Sequence, residues 1–180
     1  MLEGVLDGEV GARPDERFVA LADRELHRAY RLAGLILGNQ HEAEDATQDA
    51  LLRAWTSFAS LRQPDGFQAW FDRILVNVCR DRMRRRRIVR FVPLDGTHDQ
   101  RPTGDPFHDL LAGDEVLRAM DGLDADLRAI VVLRYWADLT VDDIAGRVGI
   151  RAGTVKSRLH RAMALMRQQM TDHAKSEEPR

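Results

Sequence analysis

The sequence predicts an all-α protein with two small helical domains joined by a flexible acidic linker. Apolar residues recur at helical spacing over residues 14–87 and again over 114–172, with few strand-like alternations. Over residues 88–113 this spacing lapses, and prolines, glycines and aspartates are frequent. A structureless loop of that length is unusual inside one compact domain, so the pattern favours two domains over one.

The composition predicts a folded protein of the cytoplasm. Hydrophobic residues make up 44% of the chain and charged residues 31%, which is enough apolar side chain for a core. No apolar run approaches the roughly 20 residues that cross a bilayer, and the N-terminus is acidic rather than basic. Cys79 is the single cysteine and falls within an apolar-periodic helix, so we expect a buried structural thiol. We expect no membrane insertion.

Three helices are expected in the first domain, separated by turn signals at residues 38–39 and 64–66. The third is the clearest, because its apolar residues form one stripe at helical spacing: Phe67, Trp70, Phe71, Ile74 and Val78. Polar residues recur on a second face of this helix at steps of three and four: Arg73, Asn77, Arg80, Arg84 and Arg87. One face is therefore expected to pack and the other to bind.

The second domain carries a helix-turn-helix signal. Thr140 is a good N-cap, and Asp143 three residues later resembles the acidic member of a capping box. Gly149 suits the left-handed conformation of a tight turn, and a second helix is expected from near Ala152 to about Met170. Residues Ser176 to Arg180 are expected to be a disordered tail.

In the second helix of this motif, the apolar residues form a packing stripe and leave a polar face exposed near the N-terminal end. In a helix-turn-helix this end enters the major groove, where basic and hydroxyl side chains contact base edges. The residues expected to reach bases are Lys156, Ser157, His160 and Arg161. Those better placed for phosphates are Arg151, Thr154 and Arg158. A helical hairpin with an exposed basic face is the simpler structural alternative.

Positive charge is segregated along a chain that is nearly neutral overall. The formal net charge is −2, from 27 basic and 29 acidic side chains. Arginines crowd residues 80–90, and the stretch 147–167 is basic with no acidic residue. Two basic patches separated by acidic sequence indicate contact with a polyanion, although a charge run is often only a solvated face.

Motifs along nearly the whole chain resemble the extracytoplasmic-function (ECF) group of the sigma-70 family of bacterial RNA polymerase sigma factors. The stretch Glu44–Trp55 looks like the core-binding helix of the sigma-2 domain, and Phe67–Asp81 looks like its promoter-melting helix. The stretches 133–136, 139–145 and 153–158 look like the sigma-4 domain. The chain departs from the usual family pattern at Ala46, Asp49 and Arg151, and Arg151 prevents transfer of a precise promoter sequence from relatives.

The resemblance implies a role in promoter-specific transcription initiation, with a sigma-2-like domain at 14–87, a linker at 88–113 and a sigma-4-like domain at 114–172. The first domain would dock on the clamp helices of the polymerase's largest catalytic subunit through Glu44, Asp45, Gln48, Asp49, Leu52 and Trp55. Its third helix would hold the melted minus-10 strand through Arg73, Asn77, Arg80, Arg84 and Arg87. The second domain would read the minus-35 duplex through Arg151, Thr154, Lys156, Ser157, Arg158, His160 and Arg161. The flap of the second-largest subunit and an anti-sigma factor are further implied partners.

Two other classes of function fit the sequence less well. A free-standing helix-turn-helix regulator would bind duplex DNA without polymerase core and would have no use for the segment 44–55. An enzyme would require a nucleophile with its base, metal-spaced carboxylates or a phosphate-cradling glycine loop, and the sequence has none of these. His41 near Glu44 and Asp45 lacks the second histidine of a zinc helix. We expect no catalysis, no cofactor and no bound metal.

Overall fold

A computed structural model describes residues 13–61, 63–91 and 115–177, with side chains described to residue 86 in the second range and to residue 173 in the third. All regular structure in these ranges is helical. The α-helices are α1 Pro14–Leu37, α2 Gln40–Ser57, α3 Phe67–Phe91, α4 Glu115–Met120, α5 Ala125–Tyr135, α6 Val141–Val148 and α7 Ala152–Glu177. Two short 3-10 turns, Phe58–Ser60 and Pro64–Gly66, link α2 to α3. Among the described helices, none is long and apolar enough to cross a membrane.

Helices α1, α2 and α3 pack against each other and form the first module. Gly38 ends α1 in the left-handed conformation, with φ 66°, and its N–H donates to the carbonyl of Gly34. Asn39 then caps α2 by accepting a hydrogen bond from the Glu42 N–H at 2.9 Å. The turn expected at residues 38–39 is therefore formed by the residues that favour it.

Aromatic side chains fill one end of the first module, where the loop between α2 and α3 packs. Phe18 makes edge-to-face contacts with Trp55 and Phe58, with ring centroids 5.1 and 5.3 Å apart. Phe67 lies against Phe18 and stacks on Phe71. This cluster positions the end of α2 relative to the beginning of α3.

Helices α4 to α7 form the second module, which contains the helix-turn-helix of α6 and α7. The capping box expected at α6 is present: the Asp143 N–H donates to Thr140 Oγ1 at 3.2 Å, and the Thr140 N–H donates to Asp143 Oδ2 at 3.3 Å. Gly149 ends the helix at φ 72°. Buried Ile144 and Val155 connect the two helices to the apolar α5.

The two modules pack on each other, so that the buried residues of both belong to one continuous core. Helix α5 contacts α1 and α3, and α6 contacts α3. Arg128 of α5 is buried at this boundary, and its Nε donates to the carbonyl of Leu35 at 3.0 Å. That carbonyl lies in the last turn of α1, where a helix leaves carbonyls unsatisfied and carries partial negative charge.

The all-α prediction is confirmed, and two helix ends differ from the expected ones. Helix α3 continues to Phe91 because no helix breaker precedes Pro93. Helix α7 continues to Glu177, so Ser176 belongs to the helix rather than to a tail; the late part of α7 packs on α4, where His173 lies 3.4 Å from Arg118. Most of the expected linker, residues 92–113, lies outside the described residues.

Candidate promoter and polymerase interfaces

The second helix of the helix-turn-helix, α7, presents one polar face to solvent. Val155, Ala162 and Met166 are buried, which fixes the opposite side of the helix outward. The four residues expected to reach bases all lie exposed on that outward side: Lys156, Ser157, His160 and Arg161. The structure therefore brings this predicted set together on one accessible surface, which we call the α7 face.

The residues expected to contact phosphates flank the α7 face. Arg151 is exposed immediately before α7, and its carbonyl accepts the N–H of Thr154 at 2.9 Å. Arg158 is turned inward and donates to Asp126 Oδ2 of α5 at 3.4 Å. Arg158 is therefore paired with a residue of α5, although 31% of its side chain stays exposed.

The polar face of α3 is divided in the same way. Arg73 and Asn77 are exposed, and Arg73 has no ion pair with any described residue. Arg80 is largely covered and donates from Nε to Asp126 Oδ1 at 2.7 Å, while Arg84 donates to the same oxygen at 2.8 Å. Arg87 lies outside the part of the chain whose side chains are described.

Asp126 therefore receives three arginines from two different predicted DNA surfaces. Arg80 and Arg84 reach it from the first module, and Arg158 reaches it from α7. Burial acts to raise the pKa of Asp126, but the hydrogen bonds and charges of Arg80 and Arg84 outweigh it and hold that pKa below its ordinary value. The carboxylate is accordingly ionised at neutral pH, and its ion pairs are lost only when acid protonates it at low pH.

A second carboxylate, Asp72, is fully buried at the boundary between the modules. It accepts hydrogen bonds from Arg28 of α1 and from Arg147 of α6, the latter at 3.0 Å from Nε. Arg147 is itself buried and also lies 3.6 Å from Asp143. The Asp72–Arg147 pair joins α3 of the first module to α6 of the second, and removing either partner would leave the other charge buried without a full counter-ion. We call this packing of the two modules the closed arrangement.

The predicted polymerase-binding residues of α2 separate into two groups. Glu44, Gln48, Leu52 and Trp55 follow one another at helical steps and are all exposed, Leu52 by 65% and Trp55 by 47%. We call them the α2 stripe. Asp45 and Asp49 point toward α3, where both pair with Arg82. The α2 stripe is thus an accessible surface with an apolar end, and the two aspartates lie beside Arg82 with side chains that remain 67% and 45% exposed.

Sequence reasoning missed the charged residues at the module boundary. Asp72 shares a helical stripe with buried Leu75, Val76 and Cys79, and a carboxylate in such a stripe was a signal that it needs a buried cation. One such cation is Arg147, which lies 75 positions away in the sequence, and no local pattern linked it to Asp72. Asp126 resembled an ordinary acidic residue in the first turn of a helix.

An all-helical chain with a helix-turn-helix, two basic helix faces and an exposed stripe on α2 belongs to the class of two-module helical DNA-binding proteins. Comparison with known proteins identifies the family within this class. The Sigma-70 region 2 model matches residues 21–88, and the Sigma-70 region 4 model matches residues 113–166. The two matched ranges fall on the first and second modules.

Curated relatives and a solved structure agree. The ECF RNA polymerase sigma factor SigE of Mycolicibacterium smegmatis is 36% identical over 86% of this chain and 62% of its own length. The RNA polymerase sigma factor SigV of Bacillus subtilis is 34% identical over 79% of this chain and 84% of its own length. The sigma factor RpoE from Bartonella quintana, solved in complex with the anti-sigma factor NepR, superposes with a TM-score of 0.62 at 25% identity, over 87% of this chain and 96% of that one. This chain belongs to the ECF group of the sigma-70 family of RNA polymerase sigma factors.

Proposed function

We propose that this sigma factor binds RNA polymerase core through the α2 stripe, reads minus-35 duplex with the α7 face, and holds melted minus-10 DNA with the polar face of α3. The proposal assigns 14–87 as the sigma-2-like domain and 114–172 as the sigma-4-like domain, joined by the linker 88–113. The observation that carries it is the exposure of Lys156, Ser157, His160 and Arg161 together on α7. A helix face of this kind at the second helix of a helix-turn-helix fits the major groove.

In this scheme the chain performs no covalent chemistry. Duplex recognition comes from hydrogen bonds of the α7 face to base edges, and Arg151 and Thr154 fix the register on phosphates. Melting is driven by binding, because Arg73 and Asn77 contact the separated strand and stabilise it over the duplex. The work takes place in the cytoplasm, where RNA polymerase and the promoter are.

The α2 stripe suits a protein partner better than solvent. Leu52 and Trp55 expose apolar surface at one end, and Glu44 and Gln48 supply polar groups at the other. An apolar anchor beside polar groups is the usual composition of a protein interface. We assign the clamp helices of the polymerase's largest subunit as the partner of this stripe, the flap of the second-largest subunit as the partner of the second module, and an anti-sigma factor as an inhibitor of both.

A binding assay with purified polymerase core tests the stripe. Leu52→Ala should weaken binding about fivefold or more, since truncating an interface anchor costs about 1 kcal/mol or more. Leu26→Ala is the matched control, because Leu26 is an exposed leucine of α1 outside the stripe. Equal affinities of the two variants for core would show that the α2 stripe is not part of the interface. If the unchanged chain had no affinity for core, the proposed function would be wrong.

A further inference from the structure

We propose that Asp126 is an internal competitor of promoter DNA: its carboxylate occupies arginines of both DNA-binding surfaces and must give them up before DNA can bind fully. The inference rests on the proposed function, since it takes α3 and α7 as the DNA surfaces. It adds a regulatory contact that is built into the closed arrangement of the two modules.

The geometry of Asp126 supports competition rather than a simple surface ion pair. One carboxylate oxygen accepts both Arg80, at 2.7 Å, and Arg84, at 2.8 Å, and the other lies 3.4 Å from Arg158. Two oxygens that each meet guanidinium groups present the same acceptors as a phosphate. A guanidinium that bonds this carboxylate cannot bond a phosphate oxygen with the same N–H groups.

The surroundings hold this contact in place. Arg80 exposes only 12% of its side chain, and it also donates to the Val148 carbonyl of α6 at 3.4 Å. Asp72 and Arg147 close the same boundary between α3 and α6. The arginine in the middle of the α3 face is therefore covered by the second module, while Arg73 at the beginning of that face stays open.

Closure and DNA binding are consequently linked. DNA that binds Arg80 and Arg84 withdraws two ligands from Asp126. In the packed arrangement Arg80 is covered, and Arg84, although 52% exposed, is paired with Asp126. Linkage is reciprocal. If separating the modules raises the affinity for DNA by some factor, binding of DNA favours separation of the modules by the same factor. A partner that separates the modules would thus switch on DNA binding without touching DNA.

The chain offers a close control for testing this. Asp126 and Asp142 each stand two residues after a helix N-cap, at Asp124 and Thr140 respectively, so their replacement makes the same change of charge at the same helical position. Asp142 is exposed and has no ion pair with a described residue. Asp126→Asn should release arginines from their ion pairs, whereas Asp142→Asn should release none.

The measurement is fluorescence anisotropy of the full chain with a labelled single-stranded oligonucleotide of mixed sequence, and with its duplex. Asp126→Asn should lower the Kd for the single strand about fivefold or more relative to Asp142→Asn, the lower end of the usual range for coupled sites. The dependence of log K on log salt should also steepen by about 0.7 for each arginine that gains a phosphate contact. The duplex Kd should fall as well, because Arg158 is released.

A double variant separates release of arginines from loss of a repulsive charge. Adding Arg80→Ala to Asp126→Asn should abolish most of the gain for single strand, whereas a gain caused only by weaker repulsion would remain and overturn the proposal. Asp126→Ser and Asp142→Ser repeat the comparison with another uncharged side chain, and urea unfolding checks that each variant is folded.

The failures are distinguishable. Equal Kd values and salt slopes for the variants at 126 and 142 would overturn the competition; the proposed function would survive if Arg161→Ala still weakened duplex binding. If neither the unchanged chain nor any variant bound either DNA, the competition would fall, whereas the proposed function would still be decided by binding and transcription with polymerase core.

Discussion

Replacing Asp72 with alanine should destabilise the protein by about 3 kcal/mol, because it leaves two arginines at the module boundary without their shared carboxylate. The side chain of Asp72 is 1% exposed, and Arg147 exposes 10% of its own. Breaking a buried ion pair by removing one partner costs about 3 to 5 kcal/mol. The lower end applies here because Arg147 keeps Asp143 at 3.6 Å and Arg28 keeps Glu25 at 2.6 Å.

Urea unfolding followed by circular dichroism measures this change. Asp81→Ala is the control, because Asp81 lies on the same helix, is exposed and has no ion pair with a described residue. It should change the free energy of unfolding by no more than about 0.5 kcal/mol. Combining Asp72→Ala with Arg147→Met should cost less than the sum of the two single changes, since the partners are in contact. Indistinguishable free energies for the variants at 72 and 81 would refute the buried pair as a support of the closed arrangement.

Three further changes test the local structure. Thr140→Ala should cost about 1 kcal/mol by removing the N-cap of α6, and an unchanged urea midpoint would contradict the capping box. Gly149→Ala should cost about 1 to 2 kcal/mol, because φ is 72° there, whereas Gly146→Ala, in open space within α6, should be neutral or stabilising. Burial raises the pKa of the Cys79 thiol from 9.0 to about 12, so the thiol should resist a disulfide reagent at pH 8 until urea unfolds the chain. The free energy of unfolding should be highest below pH 9 and should fall as the pH rises toward 12, because the thiol ionises more easily in the unfolded chain. Rapid modification of the native chain would contradict that burial.

The helices were predictable from sequence because their signals are local. Thr140 with Asp143 marks the beginning of α6, and Gly149 marks its end, since each effect acts within a few residues. The exposed side of α7 followed from the spacing of its apolar residues alone. Helix ends were predicted less well: α7 extends to Glu177, and its described part contacts α4 at His173, which is a tertiary contact.

The contacts between modules were beyond sequence reasoning for a physical reason. An arginine on a helix face has the same local pattern whether it meets water, DNA or a carboxylate from a distant helix. Arg80 and Arg73 therefore looked equivalent, yet only Arg80 meets Asp126, 46 positions away. Asp49 is a similar case: the sequence did not show that it pairs with Arg82, and its side chain stays 45% exposed beside that arginine. Which member of a polar face is free is decided by packing, and packing between distant helices has no short-range signature.

Transcription in vitro tests the central claim most directly. Purified polymerase core is supplied with a library of genomic fragments, with and without the chain, and the 5′ ends of the transcripts are mapped. The account predicts transcripts from discrete start sites that require the chain, with Arg161→Ala losing these starts while still binding core. Transcripts that are identical with and without the folded chain would contradict it.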